Sequence, residues 1–178
     1  MITFVTGNPN KLKEIQAILA EVELVARAVE IEEIQSMNLR EIVQAKAGAA
    51  FLSVDGPVIV EDVSFELAAL GGMPGPFVKW WEKAAGYETA LLVCKQTGNF
   101  SAIAKCGAAF FDGKRFEYVE GCVNGRLTDK SDGDGFGFDF YFVPDGYDKT
   151  FAELGSEIKN QISHRACALK ALEEKLPV

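Results

Sequence analysis

Apolar and polar positions along this chain of 178 residues change rhythm several times, and each change predicts an element. Ile2-Thr3-Phe4-Val5 is short and apolar and reads as a buried strand. Leu12, Ile15, Ile18 and Leu19 recur at helical spacing and predict an amphipathic helix from Pro9 to about Leu19. Asn8 supplies its N-cap and Pro9 its first helical position, where a missing N–H costs nothing. Val22 to Val29 reads as a second strand, followed by an acidic loop with Glu30, Glu32 and Glu33 and a longer helix from about Leu39 to Leu52. Pro57 to Val60 forms a short apolar strand that ends at Glu61-Asp62, and Leu67 to Leu70 extends that region. Gly71-Gly72-Met73-Pro74-Gly75-Pro76 must be a loop on dihedral grounds.

Two short helices follow, one through Trp80-Trp81 and one from Glu88 to Gln96. Alternation between Phe100 and Leu127, with an Asp112-Gly113 turn, predicts a two-stranded hairpin. A Gly- and Asp-rich loop from Ser131 to Gly137 leads into Phe138 to Val143 and then the Asp145-Gly146 turn. Ala166, Ala168, Leu169 and Leu172 mark a last helical run, with Asn160 and Ser163 both suited to cap it. No repeat, low-complexity tract or long linker interrupts the chain, so one domain or two intimately packed lobes is expected over residues 1–178.

Composition narrows the partners. The chain is 48% hydrophobic and 25% charged, enough for a sizeable core, and 18 Lys and Arg against 26 Asp and Glu leave a formal charge of −8. A nucleic-acid groove or an anionic membrane surface would have to be built against that field, so neither partner is expected. A small anion met by a few lysines and a divalent metal fits. Met1 runs straight into the first strand without the flanks of a secretory signal, and no window approaches a membrane span. Cys94, Cys106, Cys122 and Cys167 lack metal or disulfide spacing, and reduced thiols in a cytoplasmic protein are expected.

Several segments carry candidate chemistry. Thr6-Gly7-Asn8-Pro9-Asn10-Lys11 joins a strand to a helix N-terminus, where backbone N–H groups and Lys11 can meet a phosphate; taken alone, an ordinary capped helix start is the stronger explanation. Glu61-Asp62 at a strand end can hold a hard cation and polarise water, or be a solvated acidic turn, and Glu33 offers a further carboxylate. Phe136-Gly137-Phe138-Asp139 either belongs to the core or, held irregularly, sandwiches a purine ring. Lys159-Asn160-Gln161-Ile162-Ser163-His164-Arg165 gathers cations and N–H donors before a helix, suited to phosphate or carbonyl oxygen unless it is a solvated surface cap. Trp80-Trp81 suggests core packing first and an interface second.

In order along the chain stand Thr6-Gly7-Asn8 with Lys11; Glu33-Ile34-Gln35; Lys46; Val60-Glu61-Asp62; Leu70 to Trp80; Phe136-Gly137-Phe138-Asp139; Pro144-Asp145-Gly146-Tyr147 with Thr150 and Ala152-Glu153; and Ser163-His164-Arg165. This ordered set resembles the inosine triphosphate pyrophosphatase family, in its eukaryotic-type branch. The resemblance implies an α/β fold, an elongated mixed β-sheet flanked by helices in two lobes with a nucleotide cleft between them. It also implies a homodimer, dependence on Mg²⁺ with Mn²⁺ as a possible substitute, and hydrolysis of ITP, dITP and XTP to monophosphate and pyrophosphate. Carried over by position, Thr6, Gly7, Asn8, Lys11 and Lys46 bind phosphates, Glu33 and Asp62 serve the metal, and Asp62 activates water. Val63 follows it in the substrate contact, and Phe136, Gly137, Phe138, Asp139, Lys159, His164 and Arg165 line the base site.

This chain departs from the family pattern at Val63, where a small hydroxyl residue is usual, and at Ser131-Asp132-Gly133-Asp134, where an Arg-Gly pair is usual. It departs also at Phe138 and Phe140. Two other readings remain. One is a Maf-type pyrophosphatase of pyrimidine or modified nucleotides; the other is a nucleotide-binding module without catalysis. A dinucleotide enzyme is disfavoured because no G-x-G-x-x-G follows the first strand.

Overall fold

The computed structural model describes residues 1–177. Seven strands and six helices follow in the order β1 (Ile2–Val5), α1 (Pro9–Ile18), β2 (Leu24–Arg27), α2 (Leu39–Val54), β3 (Val58–Leu67), β4 (Pro74–Gly75), α3 (Val78–Ala84), α4 (Gly86–Thr97), β5 (Ser101–Phe111), β6 (Phe116–Leu127), β7 (Phe142–Pro144), α5 (Phe151–Ile162) and α6 (His164–Glu173). The strands form one mixed sheet in the order β2-β1-β3-β5-β6-β7, with β4 paired to β3. β1 is parallel to β2 and β3, and the β3–β5, β5–β6 and β6–β7 pairs are antiparallel.

Three long strands carry the architecture. β3, β5 and β6 contribute side chains to more than one core cluster: Ile59, Cys106 and Phe110 pack with α1 and α6, Val58, Val60 and Ala109 pack with α2, and Phe65, Leu67, Ala102 and Ala104 pack with α4 and β7. The β5–β6 turn forms as expected at Asp112, whose Oδ1 accepts the N–H groups of Lys114 at 2.9 Å and Arg115 at 2.8 Å.

Several expectations need correction. β3 runs seven residues beyond the apolar segment Pro57 to Val60 that announced it, so Glu61 and Asp62 lie inside the strand. It continues because β5 pairs with it along its whole length, Asp62 opposite Gly107 and Leu67 opposite Ala102. The region past Leu67 is a 3-10 turn over Ala68–Leu70, not an extension of the strand. Phe138 lies in a 3-10 turn over Gly137–Phe140, and only Phe142 to Pro144 are extended. The expected second strand is shorter, covering Leu24–Arg27.

Helix α5 was not foreseen, although Thr150-Phe151-Ala152-Glu153 spells its start. Thr150 Oγ1 accepts the Glu153 N–H at 3.2 Å while Glu153 accepts the Thr150 N–H at 2.9 Å, a reciprocal cap. Gly155, at φ 75°, interrupts the helix and hides its periodicity. Asn160 therefore sits inside α5, and Ser163 alone caps α6, accepting the Ala166 N–H at 3.2 Å.

Candidate active site

A cleft of about 760 Å³ opens between the β1–α1 turn, the loop before α2, the start of α3 and the α5–α6 junction, with β3 as its floor. The residues carried over from the family pattern line it, from Thr6, Gly7, Asn8 and Lys11 through Glu33, Lys46, Asp62 and Val63 to Phe136–Asp139, Lys159, His164 and Arg165, whereas Glu61 does not.

At the β1–α1 turn, Thr6 Oγ1 accepts the Asn8 N–H at 3.1 Å, and Asn8 Oδ1 accepts those of Asn10 at 2.9 Å and Lys11 at 3.4 Å. The Asn8 cap thus already occupies two of the N–H groups expected to cradle phosphate. Lys11 extends its ammonium to Glu61 Oε1 at 2.5 Å.

Glu61 and Asp62 are consecutive in a strand and so face opposite sides of the sheet. They cannot act together as a metal pair. Asp62 instead faces α2, where Lys46 Nζ lies 2.7 Å from Glu33 and 3.2 Å from Asp62. Burial works against the Lys46 charge, but Asp62 and Glu33 outweigh it and hold the ammonium firmly protonated. Burial likewise works to raise Glu33, and the hydrogen bond from Lys46 overrides it and lowers its pKa. No three or more His, Cys, Asp or Glu among the described residues are gathered to hold a metal alone. Two carboxylates sharing one cation do fit Mg²⁺, which keeps several waters and completes its shell with phosphate oxygens.

Glu61 faces the other side, into a buried chain of alternating charge. Lys11 meets Glu61; Glu61 meets Arg165 at 3.2 Å; Arg165 meets Glu14; Glu14 meets Lys159 at 2.6 Å; and Lys159 meets Asp139 at 2.5 Å. Three cations balance three carboxylates, which makes so much buried charge tolerable. Burial tends to raise Glu61, but Arg165 and Lys11 hold it well below the usual carboxylate range. For Asp139 burial prevails over Lys159 and the pKa rises.

Phe136 lies over this chain, its ring centre 4.4 Å from Lys159 Nζ and 5.8 Å from the Arg165 guanidinium carbon. Phe138 behaves differently: it is 7% exposed and stacked on Phe65 at 4.4 Å with an interplanar angle of 10°. One face of Phe138 belongs to the core, and the two rings do not form an open sandwich in this structure. His164 is 1% exposed, and its Nδ1 has no hydrogen-bond partner. Burial, then the nearby Arg165 and Lys159, push its pKa well below the ordinary 6.5, so the imidazole is neutral.

Of the family departures, Val63 donates its N–H to Asp62 Oδ1 at 2.9 Å and packs between two core clusters. Ser131 ties its loop down, with Oγ 2.6 Å from Thr150 Oγ1 and 3.1 Å from the Phe140 carbonyl. Sequence reasoning missed Glu14, which links Arg165 to Lys159, and the cleft-lining Lys79, Glu82 and Tyr87. Glu14 was legible in principle: it stands one turn from Lys11, beside the apolar stripe of α1. Tyr87 and Glu82 carry no such signal, because only the α3–α4 packing brings them to the cleft.

Known proteins resemble this chain over nearly its whole length. It is similar to the inosine triphosphate pyrophosphatase of Ajellomyces capsulatus, 38% identical over 178 residues that cover 98% of this chain and 96% of the relative. The protein of the same name from Scheffersomyces stipitis is 36% identical, covering 98% and 97%. Both are fungal, in keeping with the eukaryotic-type branch. Among solved structures, the Ham1 protein of Staphylococcus aureus superposes with a TM-score of 0.83 at 26% identity, covering 98% of this chain and 97% of that one. The nucleoside-triphosphatase, or dITP/XTP pyrophosphatase, of Mycobacterium abscessus gives 0.72 at 28% identity with both chains fully covered. Residues 2–175 match the Ham1 family model, and the chain belongs to the Ham1 family.

Proposed function

We propose that this chain is a hydrolase, a Mg²⁺-dependent nucleoside triphosphate pyrophosphatase that cleaves the non-standard purine nucleotides ITP, dITP and XTP to monophosphate and pyrophosphate. One observation carries the reading: a single cleft holds carboxylates and a lysine suited to a metal–triphosphate at Glu33, Lys46 and Asp62, and an aromatic face with buried donors at Phe136 and the α6 start. The names of the relatives point the same way.

The chemistry follows from the residues. Mg²⁺ held by Glu33 and Asp62, with Mn²⁺ as a substitute, would offset the triphosphate charge and make the attacking water more acidic. Asp62 takes the proton as water attacks the α-phosphorus, and the bond from that phosphorus to the α–β bridging oxygen breaks. Lys46 and Lys11 turn from their carboxylate partners to phosphate oxygens. Ser163 caps the Ala166 N–H, which leaves the first N–H groups of α6, at His164 and Arg165, for a purine 6-keto oxygen. An adenine amino group there would leave donors unpaired at about 1–3 kcal/mol each, so two or three disfavour ATP by several orders of magnitude.

Product analysis with ITP, XTP, GTP, ATP and dTTP, with and without Mg²⁺, tests the reading. Metal-dependent release of IMP and pyrophosphate with ATP and GTP spared is expected. Diphosphate product or preference for dTTP would overturn it in favour of a Maf-type activity. Asp62→Asn should abolish turnover while leaving nucleotide binding in place, and full activity in that variant would remove Asp62 as the base.

The same reading includes one domain of two lobes and assembly as a homodimer. The exposed Met73 and Trp80 support an interface, and Trp80 is 58% exposed. Trp81, its neighbour in sequence, instead packs against the core and donates Nε1–H to the Gly86 carbonyl at 3.0 Å. Sedimentation of Trp80→Ala should show a weakened dimer; an unchanged assembly state would count against this face.

A further inference from the structure

Beside Gly137 stands a polar pair that none of these roles uses. Tyr87, in the first turn of α4, is 3% exposed and lines the cleft; its Oη lies just outside hydrogen-bond distance of any partner, while burial and the nearby Glu82 carboxylate together hold the phenol protonated. A buried hydroxyl left unpaired is uncommon and calls for a partner. The ring cannot swing to find one. It is held edge-on by Phe65 at 6.1 Å and against Tyr141 at 5.0 Å, and the Tyr141 hydroxyl is itself taken by Glu88 at 2.5 Å.

Glu82, from α3, brings a second polar atom to the same spot and also lines the cleft. A methyl placed on Gly137 would lie 3.6 Å from Glu82 Oε2 and 4.0 Å from Tyr87 Oη, so both atoms face one small volume next to Phe136. Gly137, at φ +61°, has no side chain to fill it.

The chemistry of this volume is one-sided. An ionised carboxylate only accepts hydrogen bonds, and a phenol accepts as well as donates. Keto and phosphate oxygens are acceptors that Glu82 repels; N–H and O–H groups are what the pair can satisfy. In a purine nucleotide such groups are the N–H donors of the base edge and the ribose hydroxyls.

We propose that Tyr87 and Glu82 form a donor-selective subsite of the cleft, which reads a hydrogen-bond-donating group of the bound nucleoside and sets preference among nucleotides that the Asp62 end treats alike. The assignment rests on the nucleotide reading above and deepens it.

The test compares kcat/KM for ITP, dITP, XTP and GTP in the unmodified protein, Tyr87→Phe and Glu82→Gln. Tyr87→Phe keeps the ring and Glu82→Gln alters an exposed position, so both should fold. The expected result is a shift of about tenfold in one ratio, carried by KM, as befits loss of a hydrogen bond to a charged or buried group. A change in ITP against dITP identifies the ribose 2′-hydroxyl as the donor. A change in XTP or GTP against ITP identifies the base edge. Equal ratios in all three proteins, or a uniform loss on all four nucleotides, would overturn the subsite while leaving the pyrophosphatase reading intact. If the unmodified protein cleaves none of the four, that reading fails first, and the same ratios taken as calorimetric affinities decide the subsite.

Discussion

His164 is the only histidine in the chain, which makes its buried, neutral state directly measurable. Its folded pKa lies well below 6.5, so below that pH the unfolded chain binds a proton that the folded chain refuses. Stability is therefore present above pH 6.5 and falls on acidification, by up to about 1.4 kcal/mol per pH unit for one proton. Urea unfolding between pH 7 and 5 should show that slope, and His164→Gln should flatten it. An imidazole NMR signal titrating near 6.5 in the folded protein would refute the assignment. Glu61 acts in the same direction lower down, its stabilisation being lost as pH falls below the ordinary 4.5. Glu61→Gln would leave Lys11 and Arg165 buried with one anion fewer, and a loss of about 3–5 kcal/mol in denaturant unfolding is expected. At this scale Asp62, Lys46 and Glu33 were legible as residue types suited to metal and phosphate, and the structure brings the three together. Glu61 was misread. A glutamate after four apolar residues looks like the end of a strand, because the cations that make its burial tolerable are distant in sequence.

Helix α6 reaches the site because β6 lets it come close. A methyl at Gly121 would overlap the His164 carbonyl oxygen and the Ala168 nitrogen, both backbone atoms of α6 that cannot swing aside. Gly121→Ala should push the start of α6 off the sheet, destabilise the fold by about 1–3 kcal/mol as overpacking does, and weaken ITP binding through His164 and Arg165. Gly48, inside α2, meets nothing within 4 Å, and Gly48→Ala should instead stabilise by about 0.5–1 kcal/mol. Thermal unfolding of the pair checks both signs, and equal effects would mean that the α6 approach is not tight. Elements with their own local signature were legible: Asn8-Pro9 announced α1, and Asp112-Gly113 announced the hairpin. α5 was hidden despite its Thr150–Glu153 cap, because Gly155 breaks the apolar rhythm on which helix assignment leans.

Strand order is a property of the whole molecule, and periodicity does not encode it. The mixed sheet was accessible only through the resemblance, since nothing local tells β3 to lie parallel to β1 and antiparallel to β5. Because β3, β5 and β6 run through more than one core cluster, the molecule should unfold in a single cooperative transition, and saturating nucleotide should raise its midpoint. Two separate calorimetric peaks would mean that the lobes melt independently. The alternating charge chain has a further consequence in time. Glu14 and Arg165 are 151 residues apart, and Glu61 and Arg165 are 104 apart. During synthesis both carboxylates leave the ribosome long before their guanidinium partner exists. Until Arg165 emerges, closing the core over them means burying anions short of countercharge, so the nascent chain is expected to keep this region open. A ribosome-stalled chain ending before α6 should stay protease-sensitive around α1 and β3, and become resistant only once α6 is out. Helix α6, made after every strand of the sheet, thus acts as the latch that completes the site.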